Sequence, residues 1–128
     1  MIEQVEDLDG LFDELRPLLE RHAAMLAVAC DEPGDYQLDT VRAGPSGTAM
    51  HFGSVVKRDA DVSFMFMPVL SHSALLGGLS DDLRAVMQGR ANFSLTPQNA
   101  TPGLLEELSE LVKKGFERYS LDGLTRPG

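Results

Sequence analysis

Residues 61–95, DVSFMFMPVLSHSALLGGLSDDLRAVMQGRANFSL, constrain the fold more than any other stretch. Two alternating apolar runs, VSFMFMPV (62–69) and ANFSLT (91–96), read as strands. Between them Ser80 precedes Asp81 and Asp82, a helix start whose acids suit the positive end of the helix dipole. Leu83, Val86 and Met87 make that helix's inner face, and Gly89 fits the left-handed residue that stops it. Ser71 and Ser73 are candidate caps for a shorter turn ending at Gly77–Gly78. The stretch therefore reads strand, short turn, helix, strand.

The rest of the chain supplies partners for these strands. Leu8, Leu11, Phe12, Leu15, Leu18, Leu19 and His22 fall on one helical face, and Pro17 lies off it. Residues 8–24 are one bent helix or two short ones meeting near Arg16, with Asp7 or Asp9 as the cap. MLAVAC (25–30), YQLDTV (36–41) and AMHFGSVV (49–56) read as strands, divided by the turns DEPGD (31–35) and AGPSG (43–47). In the third of these, Met50, Phe52 and Val56 oppose His51, Gly53 and Val55. KRDAD (57–61) joins it to 62–69, and such short loops require antiparallel neighbours. Thr101–Pro102 starts a last helix, with Leu104, Leu105, Leu108, Leu111, Val112, Phe116 and Tyr119 on one face. The predicted fold is α+β: a two-layer sandwich of five mainly antiparallel strands and three helices, ordered α-β-β-β-β-α-β-α. A single domain over 1–120 and a flexible tail over 121–128 complete it.

Charge removes several classes of function. The chain of 128 residues has a formal net charge of −9, and its adjacent basic pairs are Lys57–Arg58 and Lys113–Lys114. Nucleic acid and anionic membrane surfaces need clustered cations, so neither is an expected partner. MIEQVEDLDG lacks the apolar core of a signal peptide, and no run is long enough to span a bilayer. Cys30 is the single cysteine. The expected location is the cytoplasm.

DEPGDYQLDT (31–40), HFGSVV (51–56), VSFMFMPV (62–69), LLGGLSDDLRAVMQGRANFSL (75–95) and KKGFERY (113–119) resemble the YdhG-like group of small bacterial proteins. The likeness spans about residues 10–119, and MPV followed by LSDDLRAVMQGR carries it best. It implies a secretion-chaperone-like α+β fold and leaves function open, with some iron-chaperone or frataxin-like language attached to the group. This chain has Met65 and Asn92 where those relatives have His and Cys.

No complete catalytic or metal motif is present. His22, His51 and His72 belong to no metal-ligand spacing, Cys30 has no evident base, and Ser63, Ser71 and Ser73 lack a nucleophile elbow. Strand 62–69 offers the leading candidate. Val62, Phe64 and Phe66 point one way, and Ser63, Met65 and Met67 the other. Helices cover one face of a single sheet, so Met65 and Met67 form a partner or ligand surface with His51, Val55 and Ser63 beside them, unless the last helix or the tail wraps over it. The leading expectation is a non-enzymatic binding or self-association module: a homodimer, or a receptor for a small ligand or peptide. The alternative is weak iron binding by Glu6, Asp9 and Asp13 on the acidic first helix; otherwise no cofactor is expected. An enzyme with an unrecognised site is the third reading.

Overall fold

A computed structural model describes residues 8–43 and 49–125. Helix α1 (Leu8–Glu20) buries Leu11, Phe12, Leu15, Leu18 and Leu19. It runs unbroken through Pro17, which is exposed on the opposite face, so the missing N–H leaves its carbonyl partner open to water. Of the two expected caps, Asp9 lies inside the helix and Asp7 lies outside the described residues. A 3₁₀ turn (Ala23–Met25) leads into β1 (Ala27–Glu32). Pro33 and Gly34, with φ +78° at the glycine, reverse the chain into β2 (Asp35–Ala43). The expected 43–47 turn falls largely outside the described residues. Strand β3 (Ala49–Lys57) and β4 (Val62–Phe66) follow, with a loop closed by Arg58 N–H donating to Asp61 O at 2.8 Å.

The chain leaves the sheet earlier than the 62–69 run implied. Met67 is already in the right-handed helical region (φ −73°, ψ −29°), and Pro68 opens α2 (Pro68–Ser71). A 3₁₀ helix (Ser73–Gly78) and α3 (Asp81–Ala85) come next. Ser80 caps α3 as expected, its Oγ accepting from Leu83 N–H at 3.2 Å. The helix then stops at Ala85, so Leu83 faces the core within it as expected, while Val86 and Met87 lie beyond its end. Met87–Gln88 form β5, and Gly89 (φ +83°) turns the chain into β6 (Asn92–Leu95). The reason lies in β6. Its edge away from β4 has open backbone groups, and β5 pairs them at Met87↔Phe93 and Gln88↔Asn92. The single sheet thus has six strands where five were expected, all antiparallel, in the order β1-β2-β3-β4-β6-β5.

Helix α4 (Pro102–Leu121) is capped by Thr101, whose Oγ1 accepts from Leu104 N–H at 3.2 Å. With α1–α4 there are four α-helices among the described residues, against the three expected. Leu19 of α1 lies against Gly53, where a Cβ would sit 3.2 Å from a Leu19 methyl. Gly115 of α4 lies against the Phe66 ring. Both long helices therefore stand on the Phe64–Phe66 face, and α2 and α3 pack against α4 in the same layer. Tyr36, Leu38, Val55, Phe64, Phe66, Phe93 and Leu95 are fully buried beneath them. Residues 121–125 are not the frayed tail expected. Gly123 (φ +80°) ends the helix, Leu124 is buried, and its carbonyl accepts from Val41 N–H of β2 at 3.2 Å. No described helix is long and apolar enough to cross a membrane.

Candidate functional site

The helices occupy one side of the sheet, so the other side is the candidate surface. Its composition follows from register. Gln37 pairs with Ser54, Ser54 with Met65, and Met65 with Asn92; Val56 pairs with Ser63, and Ser63 with Ser94. Side chains on paired residues share a face. The middle of this face is therefore Gln37, Ser54, Val56, Ser63, Met65, Asn92 and Ser94, uncharged themselves, with Asp35 beside them as the partner of Val56 and the acceptor for Gln37 Nε2 at 2.8 Å. Met65 and Asn92 are register partners here.

Polar side chains on this face are tied to one another across strands. Ser63 Oγ donates to Asn92 Oδ1 in a short contact. Ser94 Oγ donates to Asp61 Oδ2, also short, and the Arg58 guanidinium grips both oxygens of Asp61 at 2.7 Å. The Arg58 bonds, with Ser94 adding to them, hold the Asp61 carboxyl below its ordinary value against the opposing effect of burial. At the far end His51 Nδ1 lies 3.0 Å from Asp39 Oδ1 on β2. Ser54 and Ser63 are only 7% and 9% exposed, sheltered by these longer neighbours.

Three of the five expected residues, His51, Ser63 and Met65, are on this face. Val55 is not: it pairs with Tyr36 and Phe64 and is fully buried in the core. The cause is a β-bulge in β3. Leu38 pairs with Gly53, but Asp39 pairs with His51, so Phe52 is an extra residue. One extra residue inverts the alternation beyond it. Phe52 and Val55 both face the helices, while His51 and Val56 face away, the reverse of the strict pattern for 55 and 56. Met67 is the second correction. It follows the end of β4 and packs against the core cluster, leaving Met65 as the methionine of the open face. Sequence reading missed Asn92, Ser94, Ser54 and Asp39. The alternation Asn92-Phe93-Ser94-Leu95 held the signal for the first two.

Elsewhere the expected groups are engaged. His22 stacks on Phe116 at 4.5 Å, its Nε2 enclosed and unpartnered among the described residues. Burial, with the nearby charge of Arg21, lowers its pKa. His72 Nε2 is 2.7 Å from Asp122 Oδ2, tying α2 to the end of α4. Cys30 lies at the sheet edge, where desolvation and the charges of Asp35 and Glu32 raise its thiol pKa and disfavour the thiolate. On the acidic helix, Asp9 is held by Lys57 Nζ at 2.6 Å, Asp13 is exposed, and Glu6 lies outside the described residues. Among the described residues no three His, Cys, Asp or Glu side chains are grouped to hold a metal ion. No family model, curated protein or solved structure matches the chain.

Proposed function

We propose that the protein is a non-enzymatic self-association module whose two copies meet through the open faces of their sheets. One observation carries this reading: a centre of hydroxyl, amide and methionine side chains with its carboxylates, Asp35, Asp39 and Asp61, at the margin, on a chain of net charge −9. Interfaces are set apart from ordinary surface by depletion of charge at their centre and enrichment in Met, more than by bulk apolarity. Carboxylates of α1 (Asp9, Asp13, Glu14 and Glu20) stand in the opposite layer, where their repulsion between copies is weakest. Four strands about 4.8 Å apart, with about 3.3 Å per residue, give a flat face on the order of 500 Å². A standard interface buries about 800 Å² per partner, so the dimer is expected to dissociate on dilution.

Met65 is the centre of the patch, flanked by Ser54 and Asn92. Met65→Asp places a charge in a desolvated position and weakens the dimer by about thirtyfold or more. Leu121→Asp serves as control, because Leu121 is the most exposed large apolar side chain among the described residues (80%) and lies on α4 in the helical layer. Size-exclusion chromatography with light scattering should show a dimer for the parent and Leu121→Asp, and a monomer for Met65→Asp. Dissociation by Leu121→Asp with Met65→Asp still dimeric would place the contact on the helices and refute this reading.

A further inference from the structure

On the helical side, away from the sheet face, a cleft of about 400 Å³ opens between the 3₁₀ helix Ser73–Gly78 and α4. That is within the range of small-molecule sites. Leu75, Leu79 and Leu111 give it apolar walls, and Lys114 and Arg118 stand along one side. Residues 114 and 118 are one helical turn apart, and like charges at that spacing oppose helix formation unless an anion lies between them. Neither cation has a carboxylate within ion-pair distance among the described residues. Glu107 also lines the cleft, about two helical turns before Lys114, where its carboxylate accepts from Ser80 N–H at 2.7 Å and Ser80 Oγ at 2.6 Å. At Gly78, which lines the cleft, an added Cβ would meet nothing within 4 Å, so this wall leaves space for a ligand.

We propose that this cleft binds a small amphipathic anion, a monocarboxylate of medium chain length. Its carboxylate lies between Lys114 and Arg118, and its alkyl chain runs along Leu75, Leu79 and Leu111. Paired cations select the charge, and apolar walls disfavour a fully hydrated anion such as phosphate. The volume admits one short chain and excludes a folded partner.

Calorimetric titration of the full chain with sodium octanoate, followed in parallel by amide NMR, tests the assignment. Saturable binding is expected, with shifts confined to residues 73–79 and 107–118. Affinity should fall about fourfold for each methylene removed toward hexanoate, and at least tenfold for octanol or octylammonium. Lys114→Gln with Arg118→Gln should lose at least tenfold, and Lys113→Gln, an exposed neighbour, should lose nothing. Absence of saturation, equal binding of octanol, or unchanged affinity in the double variant would each overturn the proposal.

Discussion

At the scale of single residues, one position sets how tightly the layers fit and another anchors the polar cluster on the outer face. Gly115 lets α4 approach β4, because a Cβ there would lie 2.3 Å from Phe66 Cζ and 3.0 Å from Pro68 Cβ. The Phe66 ring is fully buried and packs edge-on to Phe52 at 5.3 Å, so it has little room to move. Gly115→Ala should destabilise by about 1–3 kcal/mol through overpacking, even though alanine favours helix; urea denaturation measures it, and a more stable variant would contradict the packing. Asp61 is the second position. Its carboxyl titrates below its unfolded value, chiefly through Arg58. Its contribution is therefore full above the ordinary carboxylate range and is lost as pH falls through the lowered value. Asp61→Asn should lose about 1.5–3 kcal/mol at pH 7, the range for hydrogen bonds to a charged group, and much less near pH 2. Equal losses at both pH values would show that the carboxylate charge is not what matters.

At the scale of elements, local chemistry was legible where it depends on neighbours in sequence. The Leu stripe of α1, the caps Ser80 and Thr101, the Pro33–Gly34 turn and the antiparallel run of β1 to β4 all follow from short-range pattern. Features decided by a partner strand were not legible. The Phe52 bulge arises from how β3 registers with β2, and no residue type in AMHFGSVV marks it; that hid the true face of Val55. Likewise Val86 and Met87 continue a plausible helical face, and only the unpaired edge of β6 draws Met87 into a strand. Leu124 looked like tail because its partner, Val41, lies far back in the sequence. The joint between α1 and α4 carries its own test. His22 is enclosed against Phe116, with its pKa lowered, so the folded state favours the neutral ring. Below the unfolded histidine value, about 6.5, the unfolded chain binds this proton more readily. Stability should therefore fall as pH drops through that value toward the lower folded one. His22→Phe should flatten the urea midpoint between pH 7.5 and pH 5; an unchanged slope would mean the ring is freely solvated.

At the scale of the whole molecule, the fold separates two chemistries. Helices carry the acidic ridge of α1 and the basic side of α4, and beneath them the sheet buries its aromatic face. Its outer face holds a polar centre, bordered by Asp39 with His51 at one end and by Asp35 and the Arg58–Asp61 pair at the other. Charged side chains around a polar middle match the rim and core of an interface. The expectation of an apolar, two-methionine patch gives way to a polar one with a single methionine. Weaker association and stronger dependence on hydrogen-bond geometry follow from that change. Sedimentation equilibrium of the unmodified chain over a hundredfold range of concentration tests this most directly. The expected result is a mass rising from the 13.9 kDa monomer toward twice that value as concentration increases. A mass fixed at 13.9 kDa across the whole range would contradict it.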